Sequence, residues 1–143
     1  MVDFSKILSK QAAEIEPPKT LPVGTYLCNN PKLPDFKGIG KEDTPVAQLQ
    51  LVVLSAQEDV DPAELAAFGE VAGKTIRHQM WLTESGEFYT KEELVNAWGC
   101  DESGTLGQMF NETINKQVLV TIKHRPSEDG TKMYVEVEKV AAA

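Results

Sequence analysis

Apolar and polar residues alternate with a period of two in several stretches of the chain. The first stretch is residues 25–29, and a nearly continuous apolar run follows at 46–56. Residues 74–83, 117–125 and 132–139 complete the set. Because successive side chains of a strand point to opposite faces, each stretch is predicted to be a β-strand with one face against a core.

Three capping patterns predict short helices between the strands. Asp61 followed by proline supplies an N-cap and a favoured first helical residue, which predicts a helix over 62–68. Thr90, with an acid three residues later, predicts a second helix over 91–98. Thr105, with a glutamine three residues later, begins a third helix.

The order of these elements is three strands, a helical insert and two further strands. Such a layout is typical of a five-stranded OB-type barrel, a mainly β fold with short helices and an insert between strands three and four. Asp129-Gly130 predicts a tight hairpin between the last two strands. Residues 30–44 are rich in Pro, Gly, Asp and Lys, so they are predicted to be a long exposed loop.

The chain divides into an arm, one domain and a tail. Residues 1–20 are predicted to be an N-terminal arm, whose short amphipathic stretch stops at Pro17-Pro18. Residues 21–140 form the predicted OB domain, and residues 141–143 are a tail of three alanines. At 143 residues the chain is long enough for one sizeable core.

Composition predicts a cytoplasmic protein that does not bind membranes. The mean hydropathy is -0.28, and no apolar run approaches the ~20 residues of a membrane span. Cys28 and Cys100 are too few and too far apart to indicate a disulfide framework. Both are expected to be reduced and partly buried, although a bridge between them stays open at this point.

The net charge of -8 is unevenly distributed. Residues 42–73 hold seven acidic and no basic side chains, and residues 84–116 hold seven acidic and two basic ones. In contrast, residues 19–41 hold four basic side chains against one acidic, and 74–83 hold two basic and none acidic. The screening length at physiological salt is about 8 Å, so acidic side chains farther away than this have little effect. A basic groove can therefore attract phosphates while the rest of the surface is acidic.

The predicted third strand carries the strongest candidate site. Alternation places His78 with the core and puts Arg77 and Trp81 together on the opposite face. Aromatic rings stack on bases and guanidinium groups bind phosphate, so this mixture is typical of a surface that binds single-stranded nucleic acid. Gln79 lies on the same face.

Two further segments contribute basic and aromatic candidates. On the last two strands, alternation groups four basic or aromatic residues on one surface, although Glu136 and Glu138 on the same surface weaken its positive field. Four further basic or aromatic residues lie in the loop between the first two strands, where OB folds often bind oligonucleotides. The full set of candidate nucleic-acid-binding residues is Lys32, Phe36, Lys37, Lys41, Arg77, Trp81, Lys123, Arg125, Lys132 and Tyr134.

No catalytic residues, metal site or cofactor are predicted. The acidic residues lie at helix caps and turns, where the helix dipole and solvation explain them. His78 and His124 have no partner at metal-ligand spacing, so both are expected to be structural. Gly38-Ile39-Gly40-Lys41 lacks the spacing of a phosphate-binding loop, and Glu42 stands where a magnesium ligand would be needed. We therefore expect a protein that is not an enzyme.

Over residues 21–140 the chain resembles the small OB-fold single-stranded DNA-binding proteins encoded by tailed phages. The resemblance implies protection of single strands during phage replication or recombination, without sequence preference, in the cytoplasm of an infected bacterium. Several such proteins recruit partners through an acidic C-terminal tail, whereas residues 137–143 here are Val-Glu-Lys-Val-Ala-Ala-Ala, so recruitment by such a tail is not expected. The residues that carry the resemblance are Leu21-Pro22-Val23-Gly24-Thr25-Tyr26, Gly73-Lys74, Leu106-Gly107-Gln108 and Met133-Tyr134-Val135-Glu136-Val137.

The sequence therefore predicts binding of single-stranded DNA as the function. Further partners that the sequence leaves open are RNA, replication or recombination proteins, and a second copy of the chain. The alternative is a protein-interaction or assembly module with an OB-like barrel and no affinity for nucleic acid, which the charge of -8 favours.

Overall fold

A computed structural model describes residues 4–14 and 19–143, and it is mainly β with a few short helices. The strands are β1 Gly24–Asn29, β2 Asp35–Ile39, β3 Thr44–Ala56, β4 Thr75–Trp81, β5 Gln117–Pro126 and β6 Met133–Ala142. The helices are α1 Ser5–Leu8, a 3₁₀ turn at Ala12–Glu14, α2 Pro62–Phe68, α3 Glu84–Asn96 and α4 Leu106–Glu112.

The six strands form one antiparallel sheet that does not close on itself. The order is β2-β3-β1-β5-β6, and β4 pairs with the other edge of β3. β4 and β6 contact each other, and α3 contacts both, yet no ladder of hydrogen bonds joins the two strands in the part of the chain described. The predicted closed five-stranded barrel is therefore not confirmed, and the sheet has one strand more than expected.

The additional strand is β2, which lies inside the predicted loop 30–44. It pairs with the start of β3 through a tight turn in which Gly40 and Asp43 both have positive φ. β2 lies at an edge of the sheet, and four of its five residues are exposed. Such a strand lacks the run of alternating apolar residues by which strands are recognised in a sequence, so the prediction of a loop was wrong.

Helix α3 begins earlier than the sequence predicts. Thr83 caps it by accepting a hydrogen bond from the backbone N–H of Gly86, whereas the predicted cap, Thr90, is buried within the helix. The Thr90 hydroxyl instead donates to the backbone oxygen of Trp81, at 2.8 Å. The predictions for α2 and for the start of α4 are confirmed, because Asp61 and Thr105 both cap as expected.

The hydrophobic core lies between one face of the sheet and the helices α3 and α4. It contains inward side chains of β1, β3, β4 and β5 together with Leu94, Trp98, Met109 and Phe110. Gly24 is required beside it: its φ is +142°, and a Cβ there would lie 2.5 Å from Cγ2 of Val60. We call the face of the sheet that points away from this core the outer face.

Both cysteines are buried, and they do not form a disulfide with each other in the structure. Burial raises the pKa of Cys28 to about 12 and also raises that of Cys100.

The ends of the chain differ in part from the predicted arm and tail. In the arm, Phe4, Ile7 and Leu8 are exposed, and the predicted helix stop at Pro17-Pro18 lies outside the described residues. The predicted tail is partly strand, since β6 extends to Ala142 and pairs there with Val118. None of the helices in the described ranges has the length and apolar content needed to cross a lipid bilayer.

Candidate nucleic-acid interface

Strand β4 presents the predicted mixture of a guanidinium, an amide and an indole on its outer face. Burial alternates along the strand: Ile76, His78 and Met80 are buried, whereas Arg77 and Trp81 are exposed. The Trp81 side chain is 45 % exposed. Close to half of the residue is thus accessible to a ligand, while the rest is buried in the fold.

Contacts from α3 and β3 hold the backbone at Trp81 in place. The Thr90 hydroxyl donates to the backbone oxygen of Trp81, and the next residue, Leu82, donates its N–H to the backbone oxygen of Pro45 at 3.0 Å. Gly86 approaches so closely that a Cβ there would lie 2.7 Å from the Cβ of Trp81. This close packing fixes the backbone from which the indole projects.

The hairpin of β5 and β6 supplies a second pair of basic and aromatic side chains. Arg125 and Tyr134 are direct partners in the antiparallel register, so their side chains lie on the same face. The next pair on that face is Lys123 with Glu136. The hairpin therefore repeats the combination of ring and guanidinium seen on β4.

The two pairs meet in an open cleft between the unpaired edges of β4 and β6. Its volume is about 510 Å³. Arg77 and Trp81 contribute from one side, and Arg125 and Tyr134 from the other. The remaining lining residues are His78, Gln79, Val135, Glu136 and Val137.

A second hollow of about 570 Å³ continues from the cleft toward the β5–β6 turn and shares Arg125 and Tyr134 with it. Glu128 and Asp129 line its far end, so negative charge bounds the cleft there. Hydrogen bonds from the Ser127 hydroxyl and from the N–H and hydroxyl of Thr131 lower the pKa of Asp129 to about 2. Asp129 thus keeps its charge and organises the turn.

The two cleft arginines have no acidic partners in the part of the chain that the structure describes. Over residues 4–14 and 19–143 the ion pairs are His78 with Glu93 and Lys91 with Glu102, and neither uses a cleft arginine. Arg77 and Arg125 can therefore turn their donors toward a ligand. Free guanidinium groups beside exposed rings are the arrangement that binds phosphates and bases together.

His78 lies at the floor of the cleft and is held by α3. Its Nε2 lies 2.9 Å from both carboxylate oxygens of Glu93, and the indole N–H of Trp98 donates to the same carboxylate at 3.1 Å. The burial of His78 confirms the prediction that it faces the core. Nothing in the sequence indicates Glu93 as its partner, since the spacing from Thr90 predicts that Glu93 is a capping acid.

His124 is likewise bonded within the fold, with its Nε2 2.6 Å from the backbone oxygen of Leu21.

Phe36 lies on the opposite face of the sheet from Trp81. Its register partner is Ala47, a core residue, and its ring packs edge-on against Phe110 with centroids 5.3 Å apart. Lys37 has the opposite orientation, since its partner Val46 also pairs with Trp81. Phe36 and Trp81 therefore do not share one stacking surface, whereas Lys37 lies on the outer face with Trp81. Phe36 is 48 % exposed, and its part in binding stays a prediction.

The other predicted residues do not line the cleft. Lys123 is exposed on the same face as Arg125 and is the register partner of the cleft residue Glu136, but it does not itself line the cleft. Lys32 follows β1, Lys41 lies in the turn between β2 and β3, and Lys132 directly precedes β6. All three are exposed, and none lines the cleft.

Five of the residues that line the cleft are absent from the predicted set, and two of them, Gln79 and Glu136, lie on the outer face. Gln79 donates a hydrogen bond from Nε2 to Oε1 of Gln48, its neighbour on β3, at 3.2 Å. Alternation alone places both residues on the faces that carry Arg77 and Tyr134. The alternation of the strands therefore indicated both residues, but the predicted set contains only basic and aromatic side chains and so omits them.

Comparison of the chain with protein-family models and with curated proteins finds no match. The likeness to phage single-stranded DNA-binding proteins accordingly stays a prediction, and the functional argument depends on the geometry of the cleft.

Proposed function

We propose that the protein binds single-stranded DNA in the cleft between β4 and β6 and is not an enzyme. Trp81 and Tyr134 stack on bases, and Arg77 and Arg125 contact phosphates. The observation that carries the proposal is the convergence of these two pairs, from distant parts of the chain, on one open cleft. Stacking and phosphate contact accept any base, so affinity from these contacts is general.

The pairing of the strands supports an OB-type fold as part of this proposal. β1, β3, β4, β5 and β6 would be the five barrel strands, with β2 as an addition to the loop between the first two. On that assignment the cleft borders the outer face of barrel strands two and three and reaches the loop between strands four and five. These are the parts of an OB fold that bind oligonucleotides.

The cleft favours a single strand over a duplex. Trp81 and Tyr134 need access to the faces of bases, which are covered by neighbouring bases in a double helix. Lys37 and Lys123 lie on the same outer face on either side and extend the positive region along a strand. Because the chain resembles phage single-stranded DNA-binding proteins, we infer that its biological role is protection of single strands in phage replication or recombination.

Intrinsic fluorescence tests the proposal directly, because the two tryptophans differ in exposure. Trp81 lies in the cleft, whereas Trp98 is 3 % exposed and bonded to Glu93. A mixed-sequence single-stranded oligonucleotide should quench the emission saturably, with an affinity that falls as salt rises. Emission that does not change, or a duplex that binds as well as the single strand, would reject the proposal.

A second candidate function is docking of another protein, as an interaction module. Phe88 and Tyr89 on α3 are 57 % and 73 % exposed, and their rings contact each other edge-on at 5.5 Å. Glu84 and Glu87 lie in the same first turns of the helix. An exposed aromatic pair among acids is unsuited to phosphate and fits a basic protein surface. Saturable binding of a protein partner that needs Phe88, with no oligonucleotide binding, would favour this candidate.

A further inference from the structure

Glu136 is the one carboxylate among the residues that line the cleft between β4 and β6. It is half-buried, and its strand β6 also brings Tyr134 to the cleft. The rest of the lining consists of two arginines, rings, an amide, a histidine and valines. In a cleft that is proposed to bind polyanions through arginines, a carboxylate repels phosphate and should weaken the affinity. Its presence therefore suggests a different role in binding.

The oxygens of Glu136 have no hydrogen-bond or ion-pair partner among the described residues. Its register partner Lys123 does not form an ion pair with it, and neither cleft arginine does. Glu93 differs, because its carboxylate is occupied by His78 and by the indole of Trp98. Glu136 is therefore able to accept hydrogen bonds from a ligand in the cleft.

An ionised carboxylate accepts hydrogen bonds and cannot donate them. Among pyrimidines, cytosine presents an amino donor at position 4, whereas uracil and thymine present a carbonyl acceptor there. A base stacked on Tyr134 or Trp81 would bring one of these groups toward Glu136. Where position 4 of the base faces Glu136, the carboxylate would accept a hydrogen bond from the amino group and would repel the carbonyl oxygen.

We propose that Glu136 gives the cleft a preference for bases that carry an amino group, and for cytosine over uracil among pyrimidines. This inference depends on the proposed binding of single-stranded DNA, and it adds base selection at one position to general stacking and phosphate contact. Gln79 cannot supply the same selection, because an amide both donates and accepts.

The test compares oligo-dC with oligo-dU of equal length at neutral pH, since these bases share ring size and lack the thymine methyl group. The protein should bind oligo-dC about tenfold more tightly, the effect expected of one charge-assisted hydrogen bond. Glu136→Gln should bring the two affinities together. The matched control is Glu138→Gln, which removes the same charge from an exposed position on β6 that does not line the cleft. It should leave the ratio unchanged.

The outcomes separate this inference from the function on which it depends. Equal, saturable binding of oligo-dC and oligo-dU by the unmodified protein overturns the role of Glu136 and leaves binding of single strands intact. If Glu136→Gln tightens binding of both oligonucleotides with no change in their ratio, Glu136 merely repels phosphate and the inference fails. If neither oligonucleotide binds, the proposed function fails as well.

Discussion

Replacing Trp81 with alanine is expected to weaken binding of single-stranded DNA far more than it weakens the fold. Stacking of a base on an aromatic ring contributes roughly 1–3 kcal/mol, so the Kd should rise roughly 5- to 150-fold. The side chain is 45 % exposed, which means that its loss removes about half of a buried aromatic contact. The free energy of unfolding should therefore fall by about 1–2 kcal/mol, against roughly 3–5 for a fully buried ring.

The affinity is best measured by fluorescence anisotropy of a labelled mixed-sequence oligonucleotide, because the variant lacks Trp81, whose emission would report binding. Urea unfolding of the same preparation measures stability and shows whether the variant is folded. Phe88→Ala is a matched control, since Phe88 is an exposed aromatic residue outside the cleft. It should leave the Kd within about twofold. Unchanged affinity in a folded Trp81→Ala variant would refute the assignment of Trp81 as a stacking platform.

Three further predictions concern charge, backbone and pH. Arg77→Ala should reduce the slope of log K against log salt by about 0.7, the value for one lost phosphate contact with a single strand, in titrations over a salt series. Gly24→Ala should destabilise the fold by at least about 1–3 kcal/mol in urea unfolding, because φ is +142° and the new Cβ would clash with Val60. The pKa of Asp129 is lowered to about 2 in the folded state, below about 3.9 in the unfolded chain, so its stabilisation is complete above the unfolded value and is lost as pH falls. The Tm advantage over Asp129→Asn should accordingly shrink between about pH 4 and pH 2.

Features with strong local signals could be predicted from the sequence, whereas those that depend on long-range packing could not. The caps of α2 and α4 and the alternation of β4 are set by neighbouring residues, and the structure has them as expected. β2 was missed because an exposed edge strand has little apolar pattern. The start of α3 was placed too late, because Thr83 and not Thr90 provides the cap.

The candidate site shows the same division. Alternation correctly placed Arg77 and Trp81 on one face, but the pattern of a strand cannot show which other strand lies across from it. The approach of β6 to β4 brings Tyr134 and Glu136 into the cleft, and it arises from the fold of the whole sheet. Phe36 was assigned as a stacking residue because it is an aromatic residue in an apparent loop, whereas pairing of β2 turns it toward Phe110.

The indole N–H signals of the two tryptophans provide the most direct test of where a single strand lies. In a ¹⁵N-labelled sample titrated with a mixed-sequence single-stranded oligonucleotide, the Trp81 signal should shift progressively and saturate. The Trp98 signal should move much less, because its N–H is buried and bonded to Glu93. A Trp81 signal that stays in place while the oligonucleotide binds would show that the strand lies elsewhere and would contradict the account.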